Sequence, residues 1–192
     1  MIAIVKYNAG NTRSVQNALN RLGYDSMVTN DIETLVNADK VIFPGVGEAS
    51  TAMTYLKERG LDQVIKNLTQ PVLGICLGLQ LLCSESEEGN TKCFGVFENK
   101  VRRFEETDLV PHMGWNDINS LQGELFNGIE TGEDMYFVHS YYAVLSDQTT
   151  ATCDYITPFS ASLMKDNFYA TQFHPEKSAG IGEKILLNFL EL

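Results

Sequence analysis

The 192-residue chain is 44% hydrophobic and 20% charged, which is the balance of an ordinary soluble globular protein. Its length fits one domain and is ample for burying a core, so we expect a single domain over residues 1–192. The formal net charge of −11 argues against nucleic acids and anionic membranes as partners.

The N-terminus and the cysteines indicate a cytoplasmic protein. Residues 1–6 are typical of a first strand rather than a signal peptide, since no basic region precedes a long apolar core. No apolar stretch approaches the length of a transmembrane helix. The cysteines show no CxxC pair and no Cys/His ligand spacing, so we expect reduced thiols and neither a metal nor a cofactor. Cys83, Cys93 and Cys153 are interpreted as small apolar fillers.

The first half of the chain alternates strand-like and helix-like segments. Its predicted strands are Ile2–Tyr7, Tyr24–Thr29, Val41–Phe43 and Val72–Ile75. The first helix is capped by Asn11 or Thr12 and continues through Leu22, and a second helical stretch, interrupted at Gly60, follows the third strand. This alternation indicates a parallel sheet with right-handed crossovers.

The second half is dominated by short β-like runs. They are Phe94–Phe97, Lys100–Phe104, Val110–Trp115, Met135–His139, Ala151–Ile156, Ser160–Lys165 and Phe168–Phe173. The last two are predicted to pair as a hairpin around Asp166-Asn167. An acidic loop is predicted at 85–90 and a closing helix at 180–192. The predicted fold is a single α/β domain with a mixed, mostly parallel sheet, flanking helices and an antiparallel β extension.

The segment from Pro71 to Leu82 changes from an apolar strand pattern to an apolar helix pattern at Cys76. Gly74 and Gly78 flank this cysteine in the G-x-nucleophile-x-G arrangement, in which a sharp turn lifts one side chain out of the sheet. The helix that follows directs its free N–H groups at the sulfur and favours the thiolate. Cys76 is therefore a candidate nucleophile, and the alternative is an ordinary strand–helix joint with an inert cysteine.

His174 is the candidate base among three histidines. It ends an apolar strand pattern, and in an extended chain the residue two positions on, Glu176, points to the same side. The carboxylate can then orient one ring nitrogen while the other takes a proton from the thiol. A strand-end histidine beside a solvated glutamate is the alternative. His112 and His139 have no carboxylate at i+2 and are interpreted as structural or interface-forming.

Acyl transfer requires two donors aimed at the developing oxyanion. The N–H of Leu77, directly after the nucleophile, is one candidate. The second is predicted in the loop Pro44–Gly47, where Val46 and Gly47 can turn or flip an N–H inward. A plain β-to-α turn is the alternative for this loop. Glu48, a charged residue, follows it directly.

The segments Gly74–Gln80 and Gln172–Ser178 together resemble the two motifs of the class I glutamine amidotransferase family. The loop Pro44–Gly47 and the stretches Pro111–Asn116 and Tyr136–Tyr142 narrow this resemblance to the members that serve histidine biosynthesis. The resemblance runs nearly from end to end of the chain. It implies a flavodoxin-like fold and a Cys-His-Glu triad.

The resemblance also implies roles for particular residues. Cys76 attacks the side-chain amide of glutamine, His174 moves protons and Glu176 orients it. The implied contacts of glutamine are Gly47, Gln80, Glu88, Ser140 and Tyr141. Ammonia passes to a (β/α)8-barrel cyclase subunit in a heterodimer, and the implied partner-facing residues are His112, Trp115, Asn116 and Lys177.

Four alternatives remain open at this stage. A glutaminase of anthranilate, aminodeoxychorismate or GMP synthesis usually carries a histidine where this chain has Leu79. A paralogue that supplies ammonia to a sugar-modifying amidotransferase is another alternative, and sequence distinguishes it poorly from the members that serve histidine biosynthesis. A non-enzymatic flavodoxin-like module needs no His-x-Glu unit, and a cysteine peptidase would lack the residues Gln80, Ser140 and Tyr141.

Overall fold

A computed structural model describes residues 1–192 and shows three β-sheets and six α-helices. The strands are β1 (Ile2–Val5), β2 (Ser26–Thr29), β3 (Lys40–Gly45), β4 (Val72–Cys76), β5 (Glu85–Ser86), β6 (Thr91–Lys92), β7 (Lys100–Arg103), β8 (His112–Ile118), β9 (Glu133–His139), β10 (Tyr141–Ala143), β11 (Thr149–Tyr155), β12 (Thr157–Lys165) and β13 (Phe168–Thr171). The helices are α1 (Thr12–Arg21), α2 (Ile32–Val36), α3 (Ala49–Glu58), α4 (Leu61–Lys66), α5 (Leu77–Leu82) and α6 (Ala179–Leu190). Short 3₁₀ turns occupy Glu88–Asn90, Glu124–Phe126 and Pro175–Lys177.

The central sheet has seven strands in the order β11-β12-β13-β4-β3-β1-β2. The pairs from β13 to β2 are parallel, whereas β12 pairs antiparallel with both β13 and β11. Residues of β1 alternate between two cores: Ala3 and Val5 pack with α2 to α5, and Ile2 and Ile4 pack with α1 and α6. The predicted mixed, mostly parallel sheet with flanking helices is therefore confirmed.

The smaller sheets lie outside this layer. One has the order β10-β7-β5-β6, and the other is the antiparallel pair β8-β9, in which His112 is opposite His139. Apart from the parallel pair β5-β7, their strands pair antiparallel and supply the predicted antiparallel extension. None of the helices combines the length and apolar character needed to cross a membrane.

The strand β4 is buried along its whole length and lies between β3 and β13. Gly45 of β3 is in register with Cys76, and Thr171 of β13 is in register with Ile75. Three parallel strands thus end at the same edge, where ligands bind in open α/β sheets. This register brings the segments that carry the predicted nucleophile, base and oxyanion loop together.

Some local predictions were wrong. Phe94–Phe97 forms no strand, because its N–H groups bond to the carbonyls at the end of α5, from Leu81 to Cys83. The sequence analysis also missed α2, which Asp31 caps by accepting the N–H of Thr34 at 2.8 Å. The acidic stretch 85–90 contains strand β5 and a 3₁₀ turn rather than a simple loop. The hairpin of β12 and β13 is confirmed, with Lys165 opposite Phe168.

Candidate active site

Cys76 is the last residue of β4 and directly precedes α5. Its φ of 55° and ψ of −107° are a strained combination for a residue with a side chain. A Cβ added at Gly78 would collide with the carbonyl oxygen of Phe43, and one at Gly74 would lie 2.7 Å from Cδ1 of Leu82. The turn therefore requires both glycines, in agreement with the nucleophile arrangement seen in the sequence.

The His174 ring and the Glu176 carboxylate form a buried pair. The distance from Nδ1 of His174 to Oε1 of Glu176 is 2.8 Å, and both side chains are 1% exposed. Asn11 donates to the same carboxylate oxygen at 3.5 Å. Since Nδ1–H is held by the carboxylate, Nε2 of His174 is the nitrogen left for proton transfer, and it is buried without a hydrogen-bond partner.

The charge state of His174 follows from its neighbours. Burial lowers its pKa, but the neighbouring Cys76 sulfur, followed by the Glu176 carboxylate that holds Nδ1–H, raises the pKa to about 10. These neighbours therefore favour the protonated ring of His174. A protonated base beside a sulfur nucleophile suits catalysis through a cysteine.

We predict that Cys76→Ala lowers the pKa of His174, because the variant keeps the burial and loses the largest influence that raises the pKa. An NMR titration of ¹⁵N-histidine-labelled protein measures this directly, since the chain has three histidines. Cys83→Ala is the control, because Cys83 is also buried but does not influence His174. An unchanged pKa in Cys76→Ala would contradict the pairing.

A cavity of about 310 Å³ opens above the Cys76 turn. Its lining contains all five residues that the resemblance implies as glutamine contacts. It also contains the three residues predicted to form the oxyanion site. The lining residues are Val46, Gly47, Cys76, Leu77, Gln80, Glu88, Pro111, Val138, His139, Ser140 and Tyr141. This volume lies at the small end of the range for ligand pockets, which suits an amino acid.

Gln80 lies one turn along α5 and is buried. Its Nε2 donates to the carbonyl of Tyr141 at 2.8 Å and to Oε1 of Gln172 at 3.1 Å. Gln172 in turn approaches the Cys76 sulfur at 3.7 Å. Sequence reasoning assigned no role to Gln172, although its position two residues before His174 was a usable signal, because such residues share one side of an extended chain.

The predicted oxyanion loop, Pro44–Gly47, is fixed by hydrogen bonds within it and directly after it. Within the loop, the N–H of Val46 donates to the carbonyl of Ala9 at 2.7 Å. After it, the Glu48 carboxylate caps α3 by accepting the N–H of Thr51 at 2.8 Å. In this conformation the Val46 N–H is bonded to Ala9 rather than directed at the cavity, so its role as an oxyanion donor, which needs the peptide to flip, stays a prediction. Gly47, with a φ of 119°, lines the cavity beside it.

Glu88 lines the cavity and also accepts a hydrogen bond at the N-terminus of α3. Its Oε2 accepts the N–H of Ala49 at 2.7 Å. Burial raises the pKa of Glu88, the Ala49 N–H lowers it in part, and Glu48 raises it further. Oε2 of Glu88 is thus bonded to the N-terminus of α3 while the residue lines the cavity.

The predicted partner-facing residues divide into two groups. Trp115 is 54% exposed and meets the Tyr136 ring edge-on at 6.0 Å, and Nζ of the exposed Lys177 lies 5.7 Å from the centre of the same ring. Asn116 is half-buried, and its amide nitrogen lies 3.2 Å from Nε2 of His112. His112 is 3% exposed, so direct contact with a partner does not agree with the structure. Its burial is a consequence of ring stacking that the sequence did not reveal.

Cys83, Cys93 and Cys153 are buried and form no disulfide, as expected for apolar fillers. Burial raises the pKa of all three thiols, to about 12 for Cys93 and Cys153. Cys76 differs from them in lying at a strained turn next to the His174 ring.

The model of the family described as glutamine amidotransferase class-I matches residues 3–192. The chain therefore belongs to the class-I glutamine amidotransferase family. Among full-length relatives, the imidazole glycerol phosphate synthase subunit HisH of Bacteroides fragilis is 61% identical over 100% of this chain and 99% of its own. The subunit of the same name from Escherichia coli K12 is 46% identical, with the same coverage of both chains.

Solved structures agree on the fold. A crystal structure titled as a glutamine amidotransferase superposes with a TM-score of 0.77 at 21% identity, covering 100% of this chain and 98% of the other. The structure of PurLQS from Thermotoga maritima gives a TM-score of 0.75 at 17% identity, covering 99% and 97%.

Proposed function

We propose that this chain is the glutaminase subunit of an imidazole glycerol phosphate synthase and works in a heterodimer with a (β/α)8-barrel cyclase in histidine biosynthesis. The supporting observation is a cavity that contains Cys76 and all five residues assigned to glutamine. Sequence identity over the full chain to subunits of imidazole glycerol phosphate synthase supports this member of the family over the other glutaminases. Residues 1–192 act as one type 1 amidotransferase domain, and the absence of disulfides supports a cytoplasmic location.

The chemistry follows from the pair of charges at the turn. The Cys76 thiolate attacks the side-chain carbonyl carbon of glutamine, and the carbonyl electrons move to the oxygen. The His174 imidazolium gives its Nε2 proton to the amide nitrogen, and ammonia leaves with formation of a glutamyl thioester. His174 then takes a proton from water, whose oxygen attacks the thioester and releases glutamate and Cys76.

The remaining residues hold these groups in place. Glu176 retains Nδ1–H of His174 through both steps, so that Nε2 always faces the reacting atoms. Glu88 offers its free oxygen to the α-ammonium of glutamine. The Gln80 amide nitrogen is occupied by Tyr141 and Gln172, so its Oε1 is the atom available to the substrate.

The oxyanion site is incomplete in the free subunit, because the Val46 N–H is bonded to Ala9. We infer that docking of the cyclase rotates the peptide before Val46 and turns this N–H toward the cavity. The exposed Met113 and Trp115 lie on strand β8, which follows the cavity-lining Pro111 in the chain, and this supports an apolar docking face near the cavity. Ammonia released there meets the cyclase, which makes imidazole glycerol phosphate and aminoimidazole carboxamide ribotide.

We predict that the cyclase together with its nucleotide ligand raises the kcat of glutamine hydrolysis by about 10²–10³-fold, the contribution of one oxyanion donor. A glutaminase assay of the free subunit, the complex and the complex with nucleotide measures the effect. High activity of the free subunit that the cyclase leaves unchanged would contradict the proposed function. The Leu145→Ala variant is a control for this activation. Leu145 is exposed and apolar, but it lies in the segment after β10 and outside the cavity.

A further inference from the structure

A chain of hydrogen bonds leads from strand β8 through two buried histidines to the cavity. Nδ2 of Asn116 lies 3.2 Å from Nε2 of His112, and Nδ1 of His112 lies 3.0 Å from Nε2 of His139. Nδ1 of His139 lies 2.8 Å from the carbonyl oxygen of Tyr141. That carbonyl also accepts the Nε2 of Gln80, at 2.8 Å. Neither histidine belongs to the triad.

The carbonyl at one end fixes the position of each proton. A carbonyl oxygen only accepts, so Nδ1 of His139 carries a hydrogen. In the neutral ring Nε2 of His139 is then an acceptor, and Nδ1 of His112 must be the donor that faces it. This leaves Nε2 of His112 as an acceptor for the amide nitrogen of Asn116.

The orientation of the Asn116 amide is fixed independently. Its Oδ1 accepts the N–H of Asp117 at 2.9 Å, and its Nδ2 also donates to the carbonyl of Asp154 at 3.0 Å. Turning the amide over would place an oxygen against that carbonyl and a nitrogen against that N–H. The nitrogen therefore faces His112, and donors and acceptors alternate along the whole chain.

Only neutral rings satisfy this arrangement. A second proton on His112 would face the Asn116 amide donor, and one on His139 would face the Nδ1–H of His112. Aromatic rings surround the pair: His112 stacks on Tyr155 at 4.0 Å and on Phe137 at 4.9 Å. Burial lowers the pKa of both, to about 4 for His112 and about 3 for His139.

We propose that His112 and His139 are positioning residues, held as neutral Nδ1–H tautomers, that fix the Tyr141 carbonyl and through it the Gln80 amide in the cavity. The chain connects the half-buried Asn116, on the strand that carries Trp115, with a substrate-contacting side chain. The link to glutamine rests on the proposed function, whereas the assignment of the tautomers does not.

The tautomers are tested by ¹⁵N NMR of histidine-labelled protein at neutral pH, with His112→Phe used to assign the signals. We expect His112 and His139 each to show a protonated Nδ1 and a bare Nε2, and His174 to be protonated on both nitrogens. An Nε2–H tautomer or a charged ring at His112 or His139 would overturn the proposal. The spectrum is independent of glutaminase activity, so a failure of the proposed function would be seen separately.

The positioning role is tested by two variants at His112, which does not line the cavity. In the assembled synthase, His112→Phe keeps the ring stacking but removes the donor to His139, and we expect the KM for glutamine to rise about tenfold with kcat nearly unchanged. His112→Asn keeps a donor at the Nδ1 position and should restore most of the KM. Equal KM values in wild type and His112→Phe, or no rescue by His112→Asn, would overturn the role.

Discussion

Replacement of Cys76 by alanine is expected to reduce glutamine hydrolysis by roughly 10⁴-fold or more, the loss that follows removal of a catalytic nucleophile. The variant retains the cavity and the His174–Glu176 pair but has no sulfur to form the thioester. Synthesis driven by added ammonia should continue at the wild-type rate, because in the proposed synthase that reaction takes place in the cyclase. Parallel assays of the complex with glutamine and with an ammonium salt measure both rates.

The matched control for this experiment is Cys153→Ala, which removes another buried thiol from a strand of the same sheet. It should retain glutamine-driven synthesis near the wild-type level. Glutamine turnover that survives in Cys76→Ala would show that the nucleophile is elsewhere. Loss of the ammonia-driven rate as well would indicate that the substitution disturbs docking rather than chemistry.

Gly78→Ala is expected to destabilise the fold and displace the nucleophile together. The added methyl group would collide with the carbonyl oxygen of Phe43, which belongs to the neighbouring strand β3 and cannot swing aside like a side chain. We expect a loss of at least about 3 kcal/mol in the free energy of unfolding, which corresponds to a Tm lower by roughly 6–12 °C for a chain of this size. Glutaminase activity in the folded fraction should also fall.

Gly180→Ala is the control, because this exposed glycine lies in α6 and nothing stands within 4 Å of its added Cβ. Its free energy of unfolding should change by less than about 1 kcal/mol, in the stabilising direction expected for alanine in a helix. Thermal and urea unfolding of both variants gives the comparison. A Gly78→Ala protein as stable and active as wild type would show that α5 does not approach β3 as closely as the structure indicates.

The elements that sequence predicted well are those governed by local rules. The turn at Cys76 follows from glycine spacing and from the change between strand and helix periodicity, both of which are readable within residues 71–82. The pairing of His174 with Glu176 was predicted from the two-residue period of an extended chain, and it forms although Pro175–Lys177 is a 3₁₀ turn. Both features survive in the structure because they depend on neighbours in the chain rather than on distant packing.

The features that sequence missed depend on contacts between distant segments. Phe94–Phe97 has a strand-like composition, but its N–H groups donate to the free carbonyl groups at the C-terminus of α5. The Val46 N–H is turned away by Ala9, which lies 37 positions earlier in the chain. His112 is buried by stacking on Tyr155 and Phe137, neither of which is its neighbour in sequence. Periodicity carries no information about such contacts.

Cys76 is tested most directly as the nucleophile by mapping the site that an electrophilic glutamine analogue alkylates in the synthase complex. We expect a single adduct at Cys76, suppressed by glutamine, with no adduct at the buried Cys83, Cys93 or Cys153. Mass spectrometry of proteolytic peptides identifies the modified residue. Alkylation at another cysteine, or alkylation of Cys76 that glutamine does not suppress, would contradict the assignment of this cavity as the glutamine site.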